Sequence, residues 1–322
     1  MIAGQAGNSR QTVLTVVGPT AVGKTAVAIA LARSLGGEIV SADSRQIYCG
    51  MDIGTAKPTT DERGLVRHHL IDIVDPSEAY DAARFAADAE ETIVDIIARG
   101  ATPLIVGGTG FYVSSLFRGL FEGPGRDPEI RATLTERAAS EGVGVLHREL
   151  ERVDPASAER IHINDSSRVI RALEVYATTG RPLSEWQEES VSAAVFSAHY
   201  VGLTLPRKEL YERIDRRVDA MMTAGLLAEV EGLVSRGVLS SDMPAASAVG
   251  YRELLPIVER GEGDVDDAVA LIKRNSRRYA KRQMTWFRSI EDVEWFDLDG
   301  RTPDDVAAAI LALPAPQDRP AR

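Results

Sequence analysis

The sequence predicts an α/β fold: a mostly parallel sheet with helices on both faces, interrupted by a helical insertion domain. Three observations carry this. Short apolar, β-branched runs alternate with helical patterns in the first 120 residues, and strand-like runs return after residue 200; that alternation builds parallel sheets. A glycine-rich turn joins the first run to the first helical pattern. Between the two halves strand-like runs vanish, and segments rich in Glu, Arg and Ala take over.

The elements follow in order. The first run covers residues 12–17 and ends at Gly18. Runs at 38–42 and 104–106 also end in polar residues or glycine, and 70–74 reads as a further strand. Helical periodicity marks 26–35 and 82–98. Ligands of such sheets gather at the C-terminal ends of the strands, so the residues just after each run are the ones to inspect. Residues 121–199 form the predicted insertion. Within it, 168–178 reads as a helix capped by Asp165 or Ser166 and stopped by Gly180 and Pro182. Residues 200–205 return to the sheet, long helices follow, and 293–298 is the last strand. The core is then 10–120 together with 200–300. Residues 313–322, rich in proline and polar groups, are expected to fray.

Composition narrows the class. Of 322 residues, 44% are hydrophobic and 26% charged, as in ordinary globular proteins, and a chain of this length buries a large core without staples. Cys49 is the sole cysteine, which excludes an intramolecular disulfide framework and a cysteine-based zinc site and fits a reducing cytoplasm. No apolar run approaches the ~18 residues of a membrane span, so no membrane partner is expected, and we expect a monomer. The formal net charge of −11 argues against nucleic acid, but residues 271–288 carry seven cations and no acid, which leaves −18 on the remainder. Charge this uneven points to one localised anionic partner.

Gly18, Pro19, Thr20, Ala21, Val22, Gly23, Lys24 and Thr25 match the phosphate-loop pattern G-x-x-x-x-G-K-[ST] between a strand and a helix. The glycines let backbone N–H groups face phosphate oxygens, and the helix adds its positive end. Lys24 supplies a point charge, and the Thr25 hydroxyl suits Mg²⁺ as a metal ligand. The core therefore reads as P-loop NTPase-like. The loop indicates a phosphate chain and not ATP in particular; a kinase, a GTPase and a diphosphate-using transferase share it. Asp43 follows the second run. A Walker-B-like acid holding Mg²⁺ through water, a general base, and a cap of its own turn all fit that position.

From here the residues become specific. Asp43-Ser-Arg-Gln-Ile-Tyr48 runs on through Gly50-Met-Asp-Ile-Gly54-Thr-Ala-Lys57-Pro58. Later come His68-His-Leu-Ile-Asp72, Gly107-Gly-Thr-Gly110-Phe-Tyr112, Arg171-Ala-Leu-Glu174, Val249-Gly-Tyr-Arg252-Glu253 and Lys281-Arg-Gln-Met-Thr-Trp-Phe-Arg288. Over residues 12–300 this series resembles the bacterial tRNA dimethylallyltransferases. The resemblance implies dimethylallyl diphosphate as donor and, as acceptor, N6 of adenosine 37 in the tRNA anticodon stem-loop. It implies Asp43 as the base on that amine, Thr109 near the diphosphate and the reacting base, and Arg217 as a diphosphate-binding arginine. It also implies tRNA contacts by Asp43, Ser44, Arg45, Gln46, Thr109, Arg131, Ser167, Arg168, Arg171 and residues 281–288. Cys49, Phe111 and Ser247 depart from the family's usual Arg, Leu and longer polar residue; Ser247 puts one RNA contact in doubt.

The residue types suit the chemistry. An exocyclic adenine amine is a poor nucleophile, and a positioned carboxylate that removes its proton is worth roughly 10²–10⁴-fold. Lys24, the loop N–H groups, Arg217 and Mg²⁺ would neutralise a departing diphosphate. The target base must leave its stack, at a cost of a few kcal/mol, so a tunnel is expected, with diphosphate entering from one side and adenine from the other. Arg274, Arg277, Arg278, Lys281 and Arg282 fall at i, i+3, i+4, i+7 and i+8 on one helical face, and Arg288 closes the segment; a phosphate backbone or internal acids would supply the counter-charge. Arg213, Arg216 and Arg217 make a second patch beside Glu209, Glu212 and Asp215. Arg168 and Arg171 make a third, for which the alternative is that one arginine only serves Glu174. His68 and His69 face opposite ways in a strand and do not share a ligand. A small-molecule P-loop kinase explains the loop but not the basic helix. An adenine-nucleotide isopentenyltransferase shares the chemistry but needs no RNA-sized cationic surface.

Overall fold

The computed structural model describes residues 10–119, 123–189 and 194–314. In chain order the elements are β1 Gln11–Val17, α1 Lys24–Leu35, β2 Gly37–Ala42, α2 Thr60–Leu65, β3 His68–His69, α3 Ala82–Ala98, β4 Thr102–Gly107 and α4 Gly110–Arg118. Five helices follow: α5 Pro128–Ser140, α6 Val143–Val153, α7 Pro155–Arg160, α8 Ser166–Thr179 and α9 Leu183–Glu189. Then come β5 Phe196–Thr204, α10 Arg207–Thr223, α11 Leu226–Ser235, α12 Tyr251–Arg260, α13 Val265–Arg288, β6 Glu294–Asp297 and α14 Pro303–Leu311. The chain divides into two compact units, residues 118–194 and the remainder.

The larger unit is an α/β fold on a six-stranded sheet of order β3-β2-β4-β1-β5-β6, with every described pairing parallel. The central strands β1, β2 and β4 end in runs of consecutive buried residues because helices cover both faces. On one face Val27 and Leu31 of α1 pack with Val16, Leu104, Val106 and the α14 residues Ala307 and Ile310. Ile105 points the other way, where α3 meets β2 and β4 with Phe85, Ile93 and Ile96 buried. The register fixes the site. Val17 pairs with Gly107 and Gly202, and Ala42 also pairs with Gly107. The ends of β1, β2, β4 and β5 therefore lie in one row, and the loops leaving them emerge together.

The smaller unit is helical. Leu134, Leu146, Leu150, Val169 and Leu173 close its core. Asp165 is the N-cap of α8, accepting from the Arg168 N–H, and Gly180 ends the helix in the left-handed region at φ 72°.

Two sequence readings are corrected. Residues 70–74 are not a strand: Leu70 and Asp72 sit at φ 58° and 57°, which breaks an extended run, and β3 is the pair just before it. The turn lets Asp72 offer one carboxylate oxygen to Lys57 and the other to Arg63. Residues 196–199, given to the insertion, belong to β5, because the pairing of Gln11 through Leu14 with Phe196 through His199 extends the strand backwards. Of the tail expected to fray, residues 315–322 lie outside the described residues.

Candidate active site

The loop after β1 starts the site. Gly23, the N-cap of α1, has φ 110°, a conformation glycine takes without cost. Ala21 is left-handed at φ 64°, a strain of about 1 kcal/mol or more held by its surroundings. The Lys24 ammonium donates to the carbonyls of Gly18 and Pro19 at 3.0 and 2.8 Å. Burial pushes its pKa down to about 8; the Asp43 carboxylate opposes this and the Arg217 guanidinium adds to it. Arg217, from the third turn of α10, donates to the Thr20 hydroxyl at 3.3 Å. Burial lowers its pKa, and Asp43 works against that.

After β2 comes the Asp43 turn. One Asp43 oxygen accepts from the backbone N–H groups of Arg45 and Gln46 at 2.9 and 3.4 Å. The turn-cap reading is thus correct for half the carboxylate. The other oxygen takes no hydrogen bond among the described residues, and Asp43 lines the cavity below. After β4, Thr109 reaches across: its hydroxyl accepts from the Ser44 N–H at 3.0 Å, and its own N–H donates to the Ala42 carbonyl at 3.2 Å. Thr109 and Ser44 therefore hold the two loops at fixed spacing.

Phosphate loop, Asp43 and Arg217 border one cavity of about 510 Å³. Thr25 lines it as well, beside Lys24. No cluster of three His, Cys, Asp or Glu able to hold a metal exists among the described residues. A cation here would therefore draw on the Thr25 hydroxyl, water and a bound phosphate chain, which is how Mg²⁺ is commonly held.

Sequence reasoning missed Tyr279 of α13 and read Gln283 only as part of a tRNA-contacting stretch, whereas both line the cavity. The Gln283 amide accepts from the Thr20 N–H at 2.8 Å and donates to the Gly108 carbonyl at 2.9 Å, tying the phosphate loop to the loop after β4. Tyr279, one turn earlier, lines the cavity, and its phenol is pushed up to about 12 by burial and by Asp43. The available signal was the polar and aromatic spacing 279, 283, 286, which defines a second face of the basic helix. The glycines of Gly107-Gly-Thr-Gly110 now have a reason. A Cβ on Gly108 would lie 2.2 Å from the Gln283 amide nitrogen, and one on Gly110 2.2 Å from the Trp286 ring. His68 also borders the cavity; burial lowers its pKa, so the ring is neutral at pH 7.

Several residues expected to contact RNA make bonds within the protein. The Gln46 amide donates to the carbonyls of Thr55 and Ala56 at 3.3 and 3.1 Å. That segment is itself tied down by the buried Lys57, which bonds Tyr48, Asp52 and Asp72. Arg277 pairs with Asp215 at 2.5 Å, so its charge is met internally. Lys273 is likewise paired with Asp219. Arg274, Arg278, Lys281, Arg282 and Arg288 are exposed with no ion pair among the described residues. In the helical unit, Arg131 and Arg171 both bind the fully buried Glu174 at 2.9 and 3.1 Å. Of the pair Arg168 and Arg171 it is Arg171 that serves Glu174, and Arg131 joins it. Ser167 and Arg168 stay exposed on the first turn of α8, with Arg168 near Asp165. Ser247 is exposed and bonds the Pro244 carbonyl.

The IPP transferase family profile matches residues 46–290. A tRNA dimethylallyltransferase from Geobacillus kaustophilus is 49% identical over 89% of this chain and 90% of its own. In Trichlorobacter lovleyi, tRNA dimethylallyltransferase 1 is 49% identical over 88% and 92%. Among solved structures, the tRNA isopentenylpyrophosphate transferase of Bacillus halodurans matches with a TM-score of 0.69 and 42% identity, covering 94% of each chain. A eukaryotic dimethylallyltransferase acting on tRNA matches with a TM-score of 0.76 and 29% identity, covering 96% of this chain and 82% of that one.

Proposed function

The chain belongs to the IPP transferase family, and from that premise we propose that it transfers the dimethylallyl group of dimethylallyl diphosphate to N6 of adenosine 37 in the tRNA anticodon loop, releasing diphosphate. The observation that carries this reading is the free oxygen of Asp43, which shares one cavity with the phosphate loop and Arg217.

In this reading the core is P-loop NTPase-like and residues 18–25 cradle a diphosphate. Phosphate oxygens take the place of the Gly18 and Pro19 carbonyls at Lys24, and Arg217 holds the far side. Mg²⁺, with Thr25 as its protein ligand, would further neutralise the leaving group. Asp43 accepts the N6 proton as the amine attacks the allylic carbon. The C–O bond to diphosphate breaks, and the new N–C bond retains one hydrogen on nitrogen. Thr109 and Ser44 keep Asp43 at its station. A P-loop thus serves a reaction without phosphoryl transfer, because its preorganised donors stabilise a departing diphosphate as well as a transferred phosphate.

The exposed cations Arg274, Arg278, Lys281, Arg282 and Arg288 meet the RNA backbone, and the helical unit acts as an insertion domain that contacts tRNA through Ser167 and Arg168. We infer a cytoplasmic monomer; no helix among the described residues is long and apolar enough to cross a membrane.

The test is incubation of pure protein with labelled dimethylallyl diphosphate, Mg²⁺ and unmodified tRNA, followed by nucleoside analysis. Asp43→Asn keeps the oxygen that caps the turn and removes the base. It should lower turnover by about 10²–10⁴-fold and leave tRNA affinity nearly unchanged. Equal loss of both would remove the base assignment, and transfer to AMP as readily as to tRNA would favour a free-nucleotide prenyltransferase.

A further inference from the structure

The core unit carries a second hollow, of about 270 Å³, beyond the end of β5 between α10 and α13. Its floor is apolar: Leu205, Leu210 and Ala280 are buried and Met284 half-buried. Its rim is cationic. Arg207, Lys281 and Arg288 are exposed, and none has an acidic partner among the described residues. The Arg207 guanidinium lies over the Tyr211 ring, 5.1 Å from its centroid.

None of these residues serves the diphosphate. The α13 residues that border the reaction cavity are Tyr279 and Gln283, whereas the hollow takes 280, 284 and 288. With 3.6 residues per turn, the middle of these points about 100° away from Gln283 and about 140° away from Tyr279 around the helix. The exposed cations Arg274, Arg278 and Arg282 lie on the stretch of surface between, and Lys281 belongs both to that surface and to the rim.

An apolar floor, an aromatic ring under a guanidinium, and uncompensated cations at the edge are the chemistry of an unstacked nucleotide with its phosphate. A lipid or an apolar peptide would leave the cations unmatched, and a free anion would leave the ring and floor unused. An RNA strand with phosphates along the outer surface of α13 has the reaction cavity on one flank and this hollow on the other. We propose that the hollow binds a second nucleotide of the tRNA anticodon loop, stacked on Tyr211 and Arg207 with its phosphate at Lys281 and Arg288, while the target adenosine occupies the reaction cavity. The inference rests on the tRNA-prenylating reading. It gives the hollow a part in holding the loop splayed, and hence an effect on tRNA affinity and not on the chemical step.

Arg207→Leu and Tyr211→Leu should each raise the KM for tRNA by about 5- to 100-fold, the range expected for a lost stacked base. The kcat should stay within about twofold and pyrophosphate affinity should not change. Arg207→Leu should also flatten the salt dependence of tRNA binding by about 0.7 in slope. Tyr211→Phe, which keeps the ring, should behave as wild type and guards against a folding defect. With 4-thiouridine placed at each anticodon-loop position in turn, one position other than 37 should cross-link to Tyr211 or Met284. Unchanged KM and salt slope with no cross-link in the hollow would overturn the proposal, as would parallel loss of pyrophosphate and tRNA binding in both variants. Failure of the parent reading shows separately, as no prenyl transfer by the wild-type protein; the binding and cross-linking arms still decide the hollow.

Discussion

Lys24 offers a quantitative test of the diphosphate site. The Lys24 ammonium rests on two loop carbonyls, and burial brings its pKa to about 8 from 10.5. About nine-tenths of it is then protonated at pH 7 and about one-tenth at pH 9. A diphosphate favours the charged form, so binding above pH 8 must recruit a proton. The sign follows from linkage: the complex holds more protons than the free protein, so affinity falls as pH rises through 8. If the bound pKa returns to 10.5, the loss at pH 9 is about tenfold, or about 1.4 kcal/mol. Pyrophosphate titrated calorimetrically in two buffers of different ionisation enthalpy reads the proton count. Lys24→Arg keeps the charge but does not titrate in this range, and subtracting it cancels the ligand's own protonation. We expect the wild type to take up about 0.9 more protons than Lys24→Arg at pH 9 and about 0.1 more at pH 7. Equal uptake at pH 9 would show that Lys24 is not the phosphate-facing cation, or that its surroundings do not depress its pKa.

Three further outcomes are expected. Gly108→Ala drives a methyl group into the Gln283 amide and should break the bridge to Thr20; at about 1 kcal/mol per hydrogen bond, pyrophosphate Kd should rise about 5- to 30-fold by calorimetry. Lys281→Glu should weaken tRNA binding and flatten its salt dependence, with thermal stability within about 0.5 kcal/mol of wild type. Arg277→Glu instead sets a carboxylate against Asp215 and should lower the melting temperature first. Glu174→Ala strands Arg131, Arg171 and the Asp127 N–H in the helical unit; breaking such a buried pair costs about 3–5 kcal/mol, read as lost helical circular dichroism on urea titration, whereas Arg168→Ala should leave that unit's stability unchanged.

The legible parts of the molecule were those with local causes. The phosphate loop, the cap at Asp165, the stop at Gly180 and the turn at Asp43 are each decided by residues within a few positions, so pattern and spacing suffice. Legibility failed where a short pattern met a distant demand. Residues 70–74 look like a strand, but Asp72 must face both Lys57 and Arg63, and that requires left-handed turns. The five cations at helical spacing look equivalent, but Asp215 takes Arg277 and leaves its neighbours to solvent. Arg131 and Arg171 lie 40 positions apart, and spacing does not show that one carboxylate with no access to water binds both.

The sequence by itself determined the α/β class, the glycine-rich loop that follows the first strand, the acid that follows the second strand, and the basic character of α13. Tertiary structure alone decided that these belong to one place. Strand order and register bring the ends of β1, β2, β4 and β5 into a row, and Gln283 meets Thr20 across 263 residues of chain. Short-range patterns report backbone preferences and local hydrogen bonds, which act over a turn or two. Which carboxylate meets which cation, and which helix seals which loop, depends on pairings that form when distant segments exclude water together, and no single segment carries that information.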